Sequence, residues 1–116
     1  MKVVYYLSKS GNNPVKDFID QLSNSTKAKV LRKLLCLQQY GITSISAHVK
    51  KLSGSNLWEI RVLGKASVRV IYAHIQKDTV LLLHAFSKKS QKTSRNDLLI
   101  ALLRLKEWNQ TNFLDK

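Results

Sequence analysis

The chain has one cysteine, one proline and four glycines in 116 residues, and 7 acidic side chains against 20 lysines and arginines. A lone Cys36 excludes an internal disulfide and argues strongly against a cysteine-based metal site. With so little glycine and proline, each of those residues carries weight as a boundary marker. No apolar run reaches the length of a membrane span, and the N-terminus, polar after Leu7, does not read as a signal peptide. A strongly basic amphipathic helix with an aromatic insertion face is also missing, which argues against a membrane-surface protein. The expectation is a cytoplasmic protein with no membrane partner.

What is abundant is positive charge. The net charge of +13 favours a polyanionic partner. Its distribution says more than its total. No acid occurs between Gln21 and Trp58, where Lys27, Lys29, Arg32, Lys33, Lys50 and Lys51 stand. A second acid-free run, from Thr79 to Asn96, carries Lys88, Lys89, Lys92 and Arg95. With 44% hydrophobic residues, residues 1–116 have apolar material for one core and are expected to form a single domain.

The stretch from Leu57 to Phe86 is rich in Val, Ile, Leu and Tyr and is broken at Gly64-Lys65-Ala66 and at Lys77-Asp78, which predicts an antiparallel meander of three strands. A two-residue Lys77-Asp78 turn pairs Gln76 with Thr79, Ile71 with His84 and Arg69 with Phe86. A three-residue loop at Gly64 to Ala66 sets Arg61 opposite Arg69, whereas a two-residue turn would set it opposite Val68. Strict alternation then predicts one apolar face of Trp58, Ile60, Val62, Val68, Val70, Tyr72, Leu81, Leu83 and Ala85, interrupted by His74. The other face gathers Glu59, Arg61, Arg69, His84 and Phe86 at one end and Ile71, Ala73, Ile75, Val80 and Leu82 at the other. Two arginines facing each other across a ladder repel unless a carboxylate or a bound anion compensates. Either Glu59 neutralises them on a solvated face, or the pair is an anion site.

Around the meander, Val3 to Leu7 predicts a first strand. Asn13-Pro14 opens a helix with Asn as its cap. A second helix spans about Thr26 to Tyr40 and stops at Gly41, so the two helices form a hairpin on the apolar sheet face. Gly41 to Asn56 carries the weakest pattern. A last helix runs from about Arg95 to Trp108, capped by Ser94 with Asp97 three residues later, or by Thr93. It is apolar on several sides, so it either covers the mixed sheet face near Ile71, Ala73 and Leu82 or is completed by a partner chain. The fold class is α+β.

The blocks Lys51-Leu52-Ser53-Gly54, Leu57-Trp58-Glu59-Ile60-Arg61, Val68-Arg69-Val70-Ile71-Tyr72 and Leu83-His84-Ala85-Phe86-Ser87-Lys88-Lys89-Ser90-Gln91-Lys92-Thr93, in this order, resemble the phage-derived HigB-type branch of the RelE/ParE toxin superfamily. The resemblance covers nearly the whole chain. It implies a small RelE-like domain, with an N-terminal strand and helical hairpin packed on an antiparallel sheet and a C-terminal helix. It also implies a type II toxin, held inactive by a cognate antitoxin, that cleaves mRNA on the ribosome without a metal or other cofactor. The toxin–antitoxin complex would bind operator DNA through the antitoxin. Ser94 replaces a proline common in similar sequences.

By that resemblance, Arg61 and Arg69 on the central strands and Lys88 and Lys89 after the last strand are the expected catalytic cations. A guanidinium fork suits phosphate oxygens better than an ammonium does. His84 is the candidate proton-transfer group, with Lys88 or Lys89 as alternatives and Glu59 as a base or, preferably, a holder of the arginines. Lys50, Lys51 and Lys92 are expected on the RNA or ribosomal backbone, and Phe86 is either a base-stacking ring or a structural one. His48 and His74 are left out. Two other functions stay open: a ParE-like DNA gyrase inhibitor, and an RNA-binding or degenerate toxin that does not cleave.

Overall fold

The computed structural model describes residues 1–64, 67–88 and 92–114. The elements in chain order are β1 (Lys2–Tyr5), α1 (Pro14–Asp20), α2 (Asn24–Tyr40), a 3-10 helical segment (Ile42–His48), β2 (Val49–Lys51), β3 (Trp58–Val62), β4 (Val68–Gln76), β5 (Thr79–Ser87) and α3 (Arg95–Leu114). The five strands form one sheet in the order β1-β5-β4-β3-β2. The expected meander is β3, β4 and β5. The sheet is mixed rather than wholly antiparallel, because β1 joins its edge parallel to β5. A parallel neighbour needs a long crossover, and the α1–α2 hairpin lies in the connection that follows β1. The weakly patterned stretch supplies the other edge, β2, antiparallel to β3.

Local chemistry explains most boundaries. The Asn13 side chain accepts a hydrogen bond from the Lys16 amide at 3.1 Å, with Pro14 in the first helical turn. Gly41 ends α2 at φ 82°, a left-handed conformation that residues with a β-carbon resist. At the start of α3 the Asp97 amide donates to Ser94 Oγ at 3.1 Å, and Ser94 Oγ donates to Asp97 Oδ2 at 2.5 Å. Ser94 is thus the cap of this helix. Ser94→Ala is expected to lower stability by about 1 kcal/mol, read by urea denaturation.

The sheet is covered on both faces. Against one lie α1 and α2, where Val15, Ile19, Val30, Leu34 and Leu37 pack on Ile60, Val62, Val68, Val70, Tyr72, Val80, Leu82 and Ala85. Against the other lies α3, where Leu98, Ala101, Leu105 and Trp108 pack on Ile71, Ala73, Leu81, Leu83 and Phe86. The outer side of α3 keeps Leu99, Leu102 and Leu103 exposed. α3 thus covers the sheet face near Ile71 and Ala73, one of its two expected placements.

One part of the face assignment is corrected. Ile71 pairs with His84 but Tyr72 with Leu82, so Leu83 is an extra residue in β5; His74 pairs with Val80 but Gln76 with Thr79, so Ile75 is extra in β4. Between these two bulges the alternation is inverted. Leu81 and Leu83 face α3 instead of the hairpin, and Val80 and Leu82 face the hairpin instead of α3. The second bulge restores the predicted pairing at the turn. His74 is exposed at the end of this strand, edge-on to Trp58 and Tyr72.

The Tyr72 hydroxyl is buried without a hydrogen-bond partner among the described residues, and burial pushes its pKa up to about 12. Tyr72→Phe removes an unsatisfied group while keeping the ring. It is expected to raise stability by up to about 1 kcal/mol in the same denaturation assay.

Candidate active site

The β3–β4 ladder sets Arg61 directly opposite Arg69, and β4–β5 sets Arg69 opposite Phe86. Glu59, two residues before Arg61 and so on the same face of β3, is 0% exposed. Its Oε1 lies 3.2 Å from Arg61 Nε and 3.6 Å from Arg69 Nη1. Its Oε2 accepts a hydrogen bond from the Thr93 hydroxyl. One buried carboxylate thus holds two guanidiniums and the start of the segment leading into α3. The arginines differ in access: the side chain of Arg69 is 6% exposed and that of Arg61 26%.

Above this arrangement a small cleft of about 90 Å³ is lined by Arg61, Val62, Leu63, Ser67, Val68, Arg69 and Lys88. Lys88 is held there by its backbone amide, which donates to the Ser67 carbonyl at 2.9 Å. A second groove of about 360 Å³ is lined by Lys50, Leu52, Ser53, Lys92, Thr93 and Leu98. Thr93 belongs to that groove and bonds Glu59, so the buried carboxylate ties a residue lining the groove to the two arginines lining the cleft. The described lining of the two depressions carries Arg61, Arg69, Lys88, Lys50 and Lys92 and no carboxylate, and the low-dielectric surroundings of the arginines strengthen their pull on an anion.

A family model described as phage-derived protein Gp49-like (DUF891) matches residues 17–106. The chain belongs to that family. The match begins within α1 and ends within α3, so it takes in every residue of the cleft. No match is found among curated proteins. No helix among the described residues of this Gp49-like chain is long and apolar enough to cross a membrane.

The predicted site residues fall into separate groups on the Gp49-like fold. Arg61, Arg69 and Lys88 share the cleft, and Lys50 and Lys92 share the adjoining groove. Lys89 lies outside the described residues. Lys51 pairs with Trp58 on the hairpin side of the sheet, with its ammonium 6.0 Å from the indole centroid, so it does not join them. Phe86 is 8% exposed and stacks on His84 at 5.1 Å, the placement of a structural ring.

His84 is also turned away from the cleft lining. Its Nε2 lies 2.7 Å from Asp97 Oδ1, and its Nδ1 faces the Arg104 guanidinium at 3.5 Å. Arg104 Nη1 donates to the Leu83 carbonyl at 2.8 Å. This set clasps α3 to β5. Burial opposes ionisation of Asp97, but the Ser94 hydroxyl, His84 and the charge of Lys88 outweigh it and hold the carboxyl below its ordinary value of 3.8.

A carboxyl with a depressed folded pKa stabilises the fold above its unfolded value and loses that contribution as pH falls through the folded one. Urea denaturation between about pH 5 and pH 3 is therefore expected to show a steeper loss of stability for the native chain than for Asp97→Asn.

Glu59, Thr93 and Asp97 take part in ways that pattern alone does not show. Glu59 was legible as the lone acid between arginines, but its complete burial was not. Thr93 and Asp97 read only as helix-start residues, since their bonds to β3 and β5 join segments far apart in sequence.

Proposed function

We propose that this chain is the toxin of a type II toxin–antitoxin pair and that it cuts mRNA on the ribosome. The supporting observation is the Arg61–Arg69 pair, opposed across the ladder over a buried Glu59 and opening with Lys88 into one cleft. In the proposed reaction a ribose 2′-oxygen attacks the adjacent phosphorus as its proton passes to water, the bond to the 5′-oxygen breaks, and that oxygen takes a proton from the Lys88 ammonium. Arg69 and Arg61 carry the charge that develops on the non-bridging oxygens. In this scheme Glu59 fixes their forks before substrate arrives. Lys50 and Lys92 hold the flanking backbone in the adjoining groove, a contact governed by charge and therefore by salt. In-line geometry, the remaining requirement, is supplied by the ribosome, which orders the message.

A second reading draws on the His84–Asp97 bond. With that imidazole engaged, Lys88 is the one proton-transfer candidate among the described cleft residues apart from the buried Glu59 arrangement. A chain of this kind would bind RNA without cutting it.

The deciding experiment adds purified protein to mRNA on programmed ribosomes and maps cuts by primer extension. Discrete cuts in the decoding region that vanish with Arg69→Ala support the toxin reading. Salt-sensitive RNA binding without cuts supports the second, and blocked gyrase supercoiling without either would replace both.

A further inference from the structure

On the hairpin side of the sheet, α2 and the 3-10 segment frame a groove of about 290 Å³ that the proposed RNA chemistry leaves unused. Lys29, Arg32 and Lys33 line it from α2 and His48 from the end of the 3-10 segment, over an apolar floor of Cys36, Ile45, Val62 and Leu63. Positions 29, 32, 33 and 36 follow helical spacing and share one face of α2. That face is distinct from the one on which Val30, Leu34 and Leu37 are buried. Among the described residues, none of Lys29, Arg32 and Lys33 is ion-paired with a carboxylate.

Like charges three and four residues apart on a helix repel each other, so this face gains from an anionic partner. The floor narrows the choice of partner. It is apolar, the one ring among the described lining residues is the His48 imidazole at the end of the 3-10 segment, and Leu63 is 67% exposed. A nucleic acid backbone would answer the cations and leave the floor wet. A wholly apolar partner would cover the floor and strip water from uncompensated charge.

We propose that this groove docks an acidic, amphipathic polypeptide segment, whose aliphatic side chain covers Ile45, Val62 and Leu63 while its carboxylates meet Lys29, Arg32 and Lys33. Val62 and Leu63 line both this groove and the arginine cleft. Lys29 Nζ comes to 3.2 Å from the position that a β-carbon on Gly64 would occupy, which carries the cationic rim to the β3–β4 turn at the mouth of the cleft. A segment seated here stands beside the cleft. Its effect on RNA rests on the reading proposed above, whereas the docking itself does not.

The test uses isothermal titration of the full chain with a synthetic helical peptide of about 18 residues, bearing leucines at helical spacing between glutamates, and with a scrambled peptide of equal composition. The amphipathic peptide is expected to bind at least about tenfold more tightly than the scrambled one. Lys29→Glu/Arg32→Glu/Lys33→Glu should weaken it by at least about tenfold more than Lys2→Glu/Lys9→Glu/Lys77→Glu, which changes the net charge equally at exposed positions elsewhere. Leu63→Ser should weaken it about tenfold, the effect of removing one buried leucine side chain. Circular dichroism melts confirm that each variant folds.

Equal binding of the two peptides, or equal loss in the two triple variants, would mean general charge attraction and overturn the proposal. Loss of oligoribonucleotide binding in the groove variant with peptide binding intact would make the groove a nucleic-acid surface and also overturn it. Absence of mRNA cleavage would remove the toxin reading and leave the docking result standing.

Discussion

Arg69→Ala is expected to lower mRNA cleavage on programmed ribosomes by about 10³-fold or more, with little change in bulk RNA binding. Arg69 is the less exposed of the two guanidiniums, at 6% against 26% for Arg61, and it lines the cleft from the central strand β4. A donor fixed in such surroundings strengthens its contact as charge builds on the phosphate, which is why removing one arginine or oxyanion donor typically costs about 10² to 10⁵ in rate. Lysine at this position keeps the charge but not the planar fork, so Arg69→Lys is expected to recover only a small part of the loss. Single-turnover primer extension measures both. The fold is expected to survive the change, since Glu59 keeps Arg61 and Thr93. A variant that folds, by circular dichroism, and retains more than about a tenth of native cleavage would remove Arg69 from the chemistry.

Glu59→Ala is expected to destabilise the protein by about 3–5 kcal/mol, a large share of the stability of a domain this size. The cause is electrostatic. Arg61 and Arg69 face each other across the ladder, and the carboxylate 3.2 and 3.6 Å from them is wholly buried. Removing it leaves a cation in a low-dielectric site beside a second one and withdraws the acceptor for Thr93, which ties the approach to α3 to the sheet. Glu59→Gln preserves shape and an acceptor for Thr93 but not the charge, and should fall between. The same cations then lack a counter-charge, so sulfate should restore part of the loss in Glu59→Gln in proportion to its occupancy, and do less for the native chain. Urea denaturation with and without sulfate reads both effects. A loss below about 1 kcal/mol for Glu59→Ala would mean that the arginines are compensated elsewhere.

The opposition of Arg61 and Arg69 is one of two registers that local counting allows: a three-residue loop at Gly64 to Ala66 sets them face to face, a two-residue turn does not, and the ladder has the first. The same arithmetic placed Arg69 beside Phe86 and Ile71 beside His84, as the structure has them. It failed for Val80 to Leu83. The paired bulges at Leu83 and Ile75 leave no signal in an unbroken apolar run, because every residue there is acceptable on either face of a sheet covered by helices on both sides. Edge strand β2 was hidden for a related reason. Three residues, two of them lysines, pair only because β3 offers a free edge.

The separation of the lysines shows the same limit. Lys50 and Lys51 are neighbours in sequence, yet alternation sends the first to the groove with Lys92 and the second to Trp58 on the far face. His84 read as a catalytic candidate by residue type, but Asp97 and Arg104, from a helix docked across the sheet, occupy its two nitrogens.

By itself the sequence determined the α+β class, the helix cap at Asn13 and the cationic character, and it narrowed the α3 cap to Ser94 or Thr93 and the partner of Arg61 to Arg69 or Val68, because periodicity, capping and turn length act over a few residues. Only the tertiary structure decided that β1 runs parallel at the edge, that Glu59 is sealed beneath both arginines with Thr93, and that His84 serves the α3 clasp. Those outcomes depend on burial and on partners distant along the chain, and a side chain's surroundings exist only once its layers have closed around it.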